Sequence, residues 1–456
     1  MRVLAVVLGI TLVTAACAEG AGVALVDRAG APIPPAPRVP IGPLAPALVA
    51  DLDILLGDLG NTVDVDALAR IGDSADPRVA WLLSDLLRFV QRGHVAQAAE
   101  ESFERLTGAV VTGDLAWDQV TDWLIAWDLP APPGYVQWKR KLFEFFEPAW
   151  SVFFDDADAD IDWRWLSWGG VLIDDRPLDR VRYPCPDGCI PALDDPEVTD
   201  AAGGDWYPDD GIVFGLVVDG EARAYPKNVM EVHEMVNDTL GGRRVGIPYC
   251  TLCGSAQAYL TDAVPGGFAT LELRTSGLLS RSNKVMFDIN TWSVLDTFTG
   301  RALSGPLQDA GFTLEMLTVR TSTWGDWKVA YPDTTIVAQD GGIGRSYPDD
   351  PLRGRDDDGP IFPVGDVDPR LPVAEPVLGV IASDGTAVAF PVDAATRALA
   401  LGDPVAAAGV QVLTEGAGLY AQSLDGGPIV SHQAFWFAWS QFHPNTDVWT
   451  AVVIGG

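Results

Sequence analysis

Lysine and histidine are scarce in this chain, with five Lys and four His in 456 residues. Lys and Arg together number 30 against 63 Asp and Glu, a formal net charge of −33. A surface of that sign repels phosphate backbones and anionic headgroups, which argues against nucleic acid as a partner. No internal apolar run is long enough to span a bilayer. A Gly-rich phosphate loop and a nucleophile-elbow serine are missing too. His233-Glu234 continues as Met235-Val236-Asn237, so the second histidine of a zinc-protease helix is absent. What is abundant is core material: 48% hydrophobic residues, 16 Trp and 17 Phe. That much apolar surface must be buried, which excludes a disordered or fibrous chain and allows two or three domains.

The chain divides by composition. Residues 1–17, MRVLAVVLGITLVTAAC, pair one Arg with a short apolar run and end in a lipoprotein-like cleavage box at Cys17. This leader predicts export and a lipid anchor on Cys17, giving a cell-surface or periplasmic lipoprotein, or a secreted protein if no lipid is attached. Residues 18–44 are rich in Ala, Gly and Pro and read as a tether. Residues 45–154 carry apolar residues at helical spacing and form an all-α domain, with no partner identifiable. Residues 155–163 are an acidic linker; the run Asp155–Asp162 lacks the Gly and Glu of a calcium-binding EF-hand loop. Residues 164–456 are β-rich, so the fold class is α+β. Two stretches, GLVVDGEARAYP and GVIASDGTAVAFP, each place strand-forming runs around Asp-Gly, the dipeptide that tolerates a type I′ hairpin turn. Each is followed by a helical stretch and another strand, which predicts two related hairpin–helix–strand units. Only the first carries Cys250-Thr251-Leu252-Cys253 after that strand, and His233 in its helix.

There are five cysteines; lipidation of Cys17 leaves four, an even number suited to an oxidising compartment. Cys185 and Cys189 flank a turn that a short disulfide could staple. The Cys250/Cys253 pair is open to three readings. It can chelate a soft metal, copper or zinc, with His233, His443 and Met286 as further donors. It can be a thiol–disulfide redox couple, although strand-like alternation after Gly254 departs from the helix such couples use. Or it can be a structural disulfide in a surface binding protein. Arg274, Arg281, Lys284 and Asp288 offer a charged lining for an anionic substrate, or simple ion pairs.

Five segments in order, HEMVNDTLGG, IPYCTLCGSAQAY, SGLLSRSNKVMFD, TSTWGDWKVAYPDT and FWFAWSQFHPNT, resemble the uncharacterised family catalogued as domain of unknown function 3179. The resemblance covers roughly residues 172–456. It implies an exported protein and brings no established activity. Thr251 stands where the family usually has Pro, and Ser280-Arg281 where Tyr-Asn is usual.

Overall fold

A computed structural model describes residues 25–57, 59–60, 63–180, 185, 188–355, 359–414 and 418–451. Cys17, the rest of the leader and the first part of the tether lie outside the described residues. Helices come first: α1 (Pro46–Gly57), α2 (Val65–Gly72), α3 (Ala80–Phe89), α4 (His94–Thr107), α5 (Ala116–Ala126), α6 (Tyr135–Phe146) and α7 (Ser151–Asp155). Local chemistry sets their ends. The Asp64 carboxylate accepts the backbone N–H groups of Asp66 and Ala67 at the start of α2, and Gly108 adopts a left-handed conformation to end α4. Among the described residues no helix is long and apolar enough to cross a membrane.

Short strands β1 (Leu166–Trp168), β2 (Leu193–Asp194) and β3 (Val198–Asp200) lead into the β-rich region. The first half then runs β4 (Ile212–Val218), β5 (Glu221–Pro226), α8 (Lys227–His233), β6 (Met235–Leu240), β7 (Arg243–Cys250), β8 (Ser255–Ala256) and β9 (Ala258–Leu260). It continues through β10 (Leu273–Ser280), β11 (Asn283–Asp288), β12 (Val294–Asp296), α9 (Gly305–Asp309), β13 (Glu315–Leu317), β14 (Arg320–Thr323), α10 (Trp324–Ala330) and β15 (Thr335–Val337). The second half is β16 (Pro376–Ile381), β17 (Ala387–Pro391), α11 (Val392–Ala400), β18 (Ala406–Ala407), β19 (Val410–Thr414), β20 (Leu419–Ser423), β21 (Pro428–Ile429), β22 (Ser431–Phe435), α12 (Trp436–Phe442) and β23 (Asp447–Val448).

These strands form five sheets, and the expected hairpin–helix–strand packing must be corrected. The strand after each helix does not return to its hairpin; it starts a separate sheet. The hairpin β4–β5 is instead completed from afar, by β14 antiparallel to β4 and β15 parallel to β5. The second half repeats this pattern with β22 on β16 and β23 parallel to β17. The other sheet matches as well: β6–β7–β9–β13 has the same antiparallel order as β18–β19–β20–β21.

Side chains follow the same plan. Gly215 on β4 and Gly379 on β16 leave room for a tryptophan; a Cβ there would lie 2.1 Å from the Trp327 or Trp439 ring. The Trp327 indole N–H donates to Thr334 Oγ1 at 2.9 Å, and that of Trp439 to Thr446 Oγ1 at 3.0 Å. The sequence runs Trp324-x-x-Trp327-x₃-Tyr331-Pro-Asp-Thr334 and Trp436-x-x-Trp439-x₃-His443-Pro-Asn-Thr446 carry these contacts.

One element breaks the match. Between β9 and β13 the first half inserts β10–β11–β12, which β1 from earlier in the chain joins as an edge strand to make a four-stranded sheet, where the second half has only the tight connection from β20 to β21. The helices pack on this insertion: Leu278, Val285, Phe287 and Val294 share one core with α1–α7. Trp150 donates to Ser276 O at 2.8 Å, and Phe153 packs edge-on against Phe287.

Candidate functional site

Strand β7 ends at Cys250, and a tight turn over Thr251–Cys253 brings the second cysteine back. Cys250 and Cys253 form a disulfide, as do Cys185 and Cys189. Gly254 closes the turn at φ +57°, and a Cβ there would meet the Phe435 ring at 2.9 Å. Both sulfurs face the carbonyl of Ser282, at 3.8 Å from Cys250 and 3.4 Å from Cys253. Ser282 belongs to the β10–β11 hairpin, so the insertion reaches directly over the disulfide.

Cys250 also lines a narrow cleft of about 70 Å³ with Thr251, Glu234 and Lys284. Glu234, at φ +52°, ends α8 and turns its carboxylate toward this cleft. Its Oε1 accepts from the Thr251 hydroxyl at 3.1 Å, and its Oε2 lies 3.5 Å from Lys284 Nζ. Lys284 Nζ also donates to the Glu234 carbonyl. Burial pulls the Lys284 amine down to about 8, with Glu234 opposing the shift. Thr251 thus supplies a hydroxyl donor to Glu234. Cys250, 5% exposed, lines the cleft, whereas Cys253 is fully buried and does not.

A family model described as a protein of unknown function, DUF3179, matches residues 187–422, more than half of the chain. The chain belongs to the DUF3179 family. No curated protein and no solved structure matches it. The DUF3179 match contains Cys250, Cys253, Glu234 and Lys284 of this chain, whereas His432 and His443 lie beyond it.

The metal set expected from sequence is not brought together. Among the described residues, no group of three His, Cys, Asp or Glu ligand atoms within 4.8 Å includes Cys250 or Cys253. His233 is buried and both its nitrogens are engaged, Nδ1 at 2.7 Å from Pro191 O and Nε2 at 2.8 Å from Tyr347 Oη. A carbonyl can only accept, so the proton sits on Nδ1 and the Nε2 lone pair receives the Tyr347 hydroxyl. Met286 is packed with Leu271, Leu273 and Leu295, in a different core from the cysteines. His443 occupies the place that Tyr331 holds in the first half: its ring lies 4.2 Å from Trp439, as Tyr331 lies 4.4 Å from Trp327. It is a scaffold ring.

The structure does contain another group that could hold a metal ion, Asp174 with Cys185 and Cys189. Asp174 is fully buried, paired with Arg176 at 2.5 Å and near Arg274 at 3.8 Å. Two guanidinium groups there oppose a cation, and the two sulfurs are already bonded to each other. Arg274 also pairs with Asp194, while Asp288 accepts the backbone N–H groups of Glu272 and Thr291. Of the four charged residues singled out in the sequence, Lys284 and Arg281 line clefts, and Arg274 and Asp288 hold structure. Glu234 was hidden in plain view, because a lone Glu after His signals nothing until α8 ends on it.

Proposed function

We propose that the protein is a thiol–disulfide redox protein working through Cys250 and Cys253. One observation carries this reading: the Cys250–Cys253 disulfide opens onto a cleft that also holds a buried amine, Lys284, paired to Glu234. The second half, with the same strand connectivity, has no cysteine and no inserted β10–β11 hairpin. The scaffold therefore does not need these features to fold. We read the two halves as copies of one ancestral unit, the first elaborated for chemistry.

The cleft admits a single side chain or small thiol rather than a bulky ligand. A thiolate of an external dithiol attacks Cys250 Sγ, the bond to Cys253 breaks, and Cys253 leaves as a thiolate that takes up a proton. The donor's second thiolate then attacks the mixed disulfide. The donor becomes a disulfide, Cys250 leaves and is protonated, and two electrons and two protons have passed to the protein. Lys284 Nζ, mostly protonated at neutral pH, stabilises the developing thiolate charge in the cleft.

The test is a trap. In Cys253→Ser, reduced protein treated with glutathione disulfide is expected to hold one glutathione on Cys250, read by mass. In Cys250→Ser, fully buried Cys253 should stay free. Equal labelling of both, or of neither, would overturn the assignment.

We further propose export and a lipid anchor on Cys17, supported by the leader and by disulfides suited to an oxidising compartment; mass analysis of the membrane fraction tests it, and an unmodified Cys17 there would refute it. Metal handling is the second reading. It rests on Asp174, Cys185 and Cys189, which after reduction would offer two thiolates and a carboxylate to zinc or copper. Metal retained by reduced wild type but lost in Cys189→Ser would support it; equal metal in both would not.

A further inference from the structure

The β10–β11 hairpin that covers the disulfide has a second face. Its turn residues Arg281 and Ser282 have φ values of +49° and +69°. That is a two-residue turn between the paired residues Ser280 and Asn283, of the kind that favours Asn-Gly. Both residues carry side chains in the left-handed region, which favours glycine.

The turn projects into a cleft of about 340 Å³ between the segment 160–166 that follows α7, the insertion and α12. That volume suits a small organic molecule. Three of its lining residues carry buried polar atoms with no partner among the described residues: Trp165 Nε1, Arg281 Nε and Asn283 Oδ1. Asn283 is only 3% exposed. The Arg281 guanidinium lies 3.8 Å over the Trp165 ring and, among the described residues, makes no ion pair. The other charges lining the cleft are already occupied. Asp160 pairs with Arg301, Asp162 pairs with Arg164 at 2.6 Å, and Asp296 accepts backbone N–H groups from Phe298 and Thr299 at 2.8 Å each.

We propose that this cleft binds a small monocarboxylate with an apolar or aromatic body. The carboxylate meets Arg281 side-on, through Nε and a terminal nitrogen, the geometry in which a guanidinium matches a carboxylate. The Trp165 indole N–H is a further donor, and the Trp165 and Phe442 rings in the cleft wall receive the apolar body. Charge selects the ligand class. Three carboxylates and two guanidinium groups line the cleft, so a phosphate dianion is repelled more strongly than a monoanion, and Arg281 is the one of the two cations that no ion pair occupies among the described residues. This site is separate from the disulfide and does not depend on its chemistry.

The experiment uses oxidised full-length protein with ¹⁵N-labelled tryptophan, the Trp165 indole signal being identified by its loss in Trp165→Phe. Benzoate is the probe, benzamide the neutral control and inorganic phosphate the dianion control. Benzoate is expected to move the Trp165 signal saturably, and benzamide and phosphate to leave it in place. Arg281→Met and Asn283→Asp should each weaken benzoate at least tenfold; unchanged signals from the other indoles certify their fold. No shift with benzoate, an equal shift with benzamide or phosphate, or undiminished binding by both variants overturns the proposal. Because no thiol is involved, this result stands apart from the glutathione trap.

Discussion

Lys139→Ala is expected to destabilise the protein by about 3–5 kcal/mol, the penalty for removing one partner of a buried ion pair. Lys139 is wholly buried on α6, and its Nζ donates to Asp85 Oδ1 at 2.6 Å, to Leu166 O at 2.6 Å and lies 3.1 Å from Tyr135 Oη. Tyr135 in turn donates to Asp85 Oδ2 at 2.7 Å. Burial pushes the Asp85 carboxyl up and the Lys139 amine down, so each charge depends on the other. The bond to Leu166 O ties the helices to β1, the edge of the inserted sheet. Losing Lys139 therefore strands an anion and loosens the face that carries the hairpin over the disulfide. The urea midpoint, followed by tryptophan fluorescence, measures the loss. The double variant Lys139→Met with Asp85→Leu should recover much of it, because a pair replaced by apolar groups leaves no unpaired charge. An unchanged midpoint in Lys139→Ala would mean that the cluster contributes nothing to stability.

The second large effect is acid sensitivity. Burial holds His233, His432 and His443 at about 4, well below the ordinary imidazole value; for His432 the neighbouring His443 adds to the shift. The folded state thus binds fewer protons than the unfolded chain, whose histidines titrate near about 6.5. Stability from these rings is complete above about pH 6.5, falls as the pH drops, and levels off below about 4. The urea midpoint should decline across that window. His443→Tyr is the informative variant, since Tyr331 already fills the equivalent place. It should retain the fold and lower the histidine-linked proton uptake by about one proton. A midpoint independent of pH between about 7 and 4 would show that the rings are not buried neutral.

Several of these features can be read from the residues alone. Asp219-Gly220 signals a hairpin because it supports positive φ, and the turn has φ values of +47° and +86°. The succession of helices and then strands is equally plain from apolar spacing. What hairpin patterns do not encode is which distant strand completes a sheet: β15 lies beside β5 only after more than a hundred intervening residues have folded. The two Trp-x-x-Trp runs are visible as motifs, but their equivalence emerges only when Gly215 and Gly379 are seen to receive the rings. That equivalence explains why His443, an attractive ligand on paper, is scaffold. His233 misleads for a related reason. Closeness in sequence to Cys250 says nothing of its bonds to Pro191 and Tyr347, which come from distant loops. Lys284 and Arg281 stand in one short run, yet the hairpin sends them to different clefts on its two faces.

The most direct measurement is the equilibrium of the Cys250–Cys253 disulfide with glutathione redox buffers, read by alkylation and mass. A working redox couple requires a reduction potential above about −300 mV, whereas Cys185–Cys189 as a structural staple should lie below it. A Cys250–Cys253 potential below that value would make the pair an inert cross-link and contradict the proposed function.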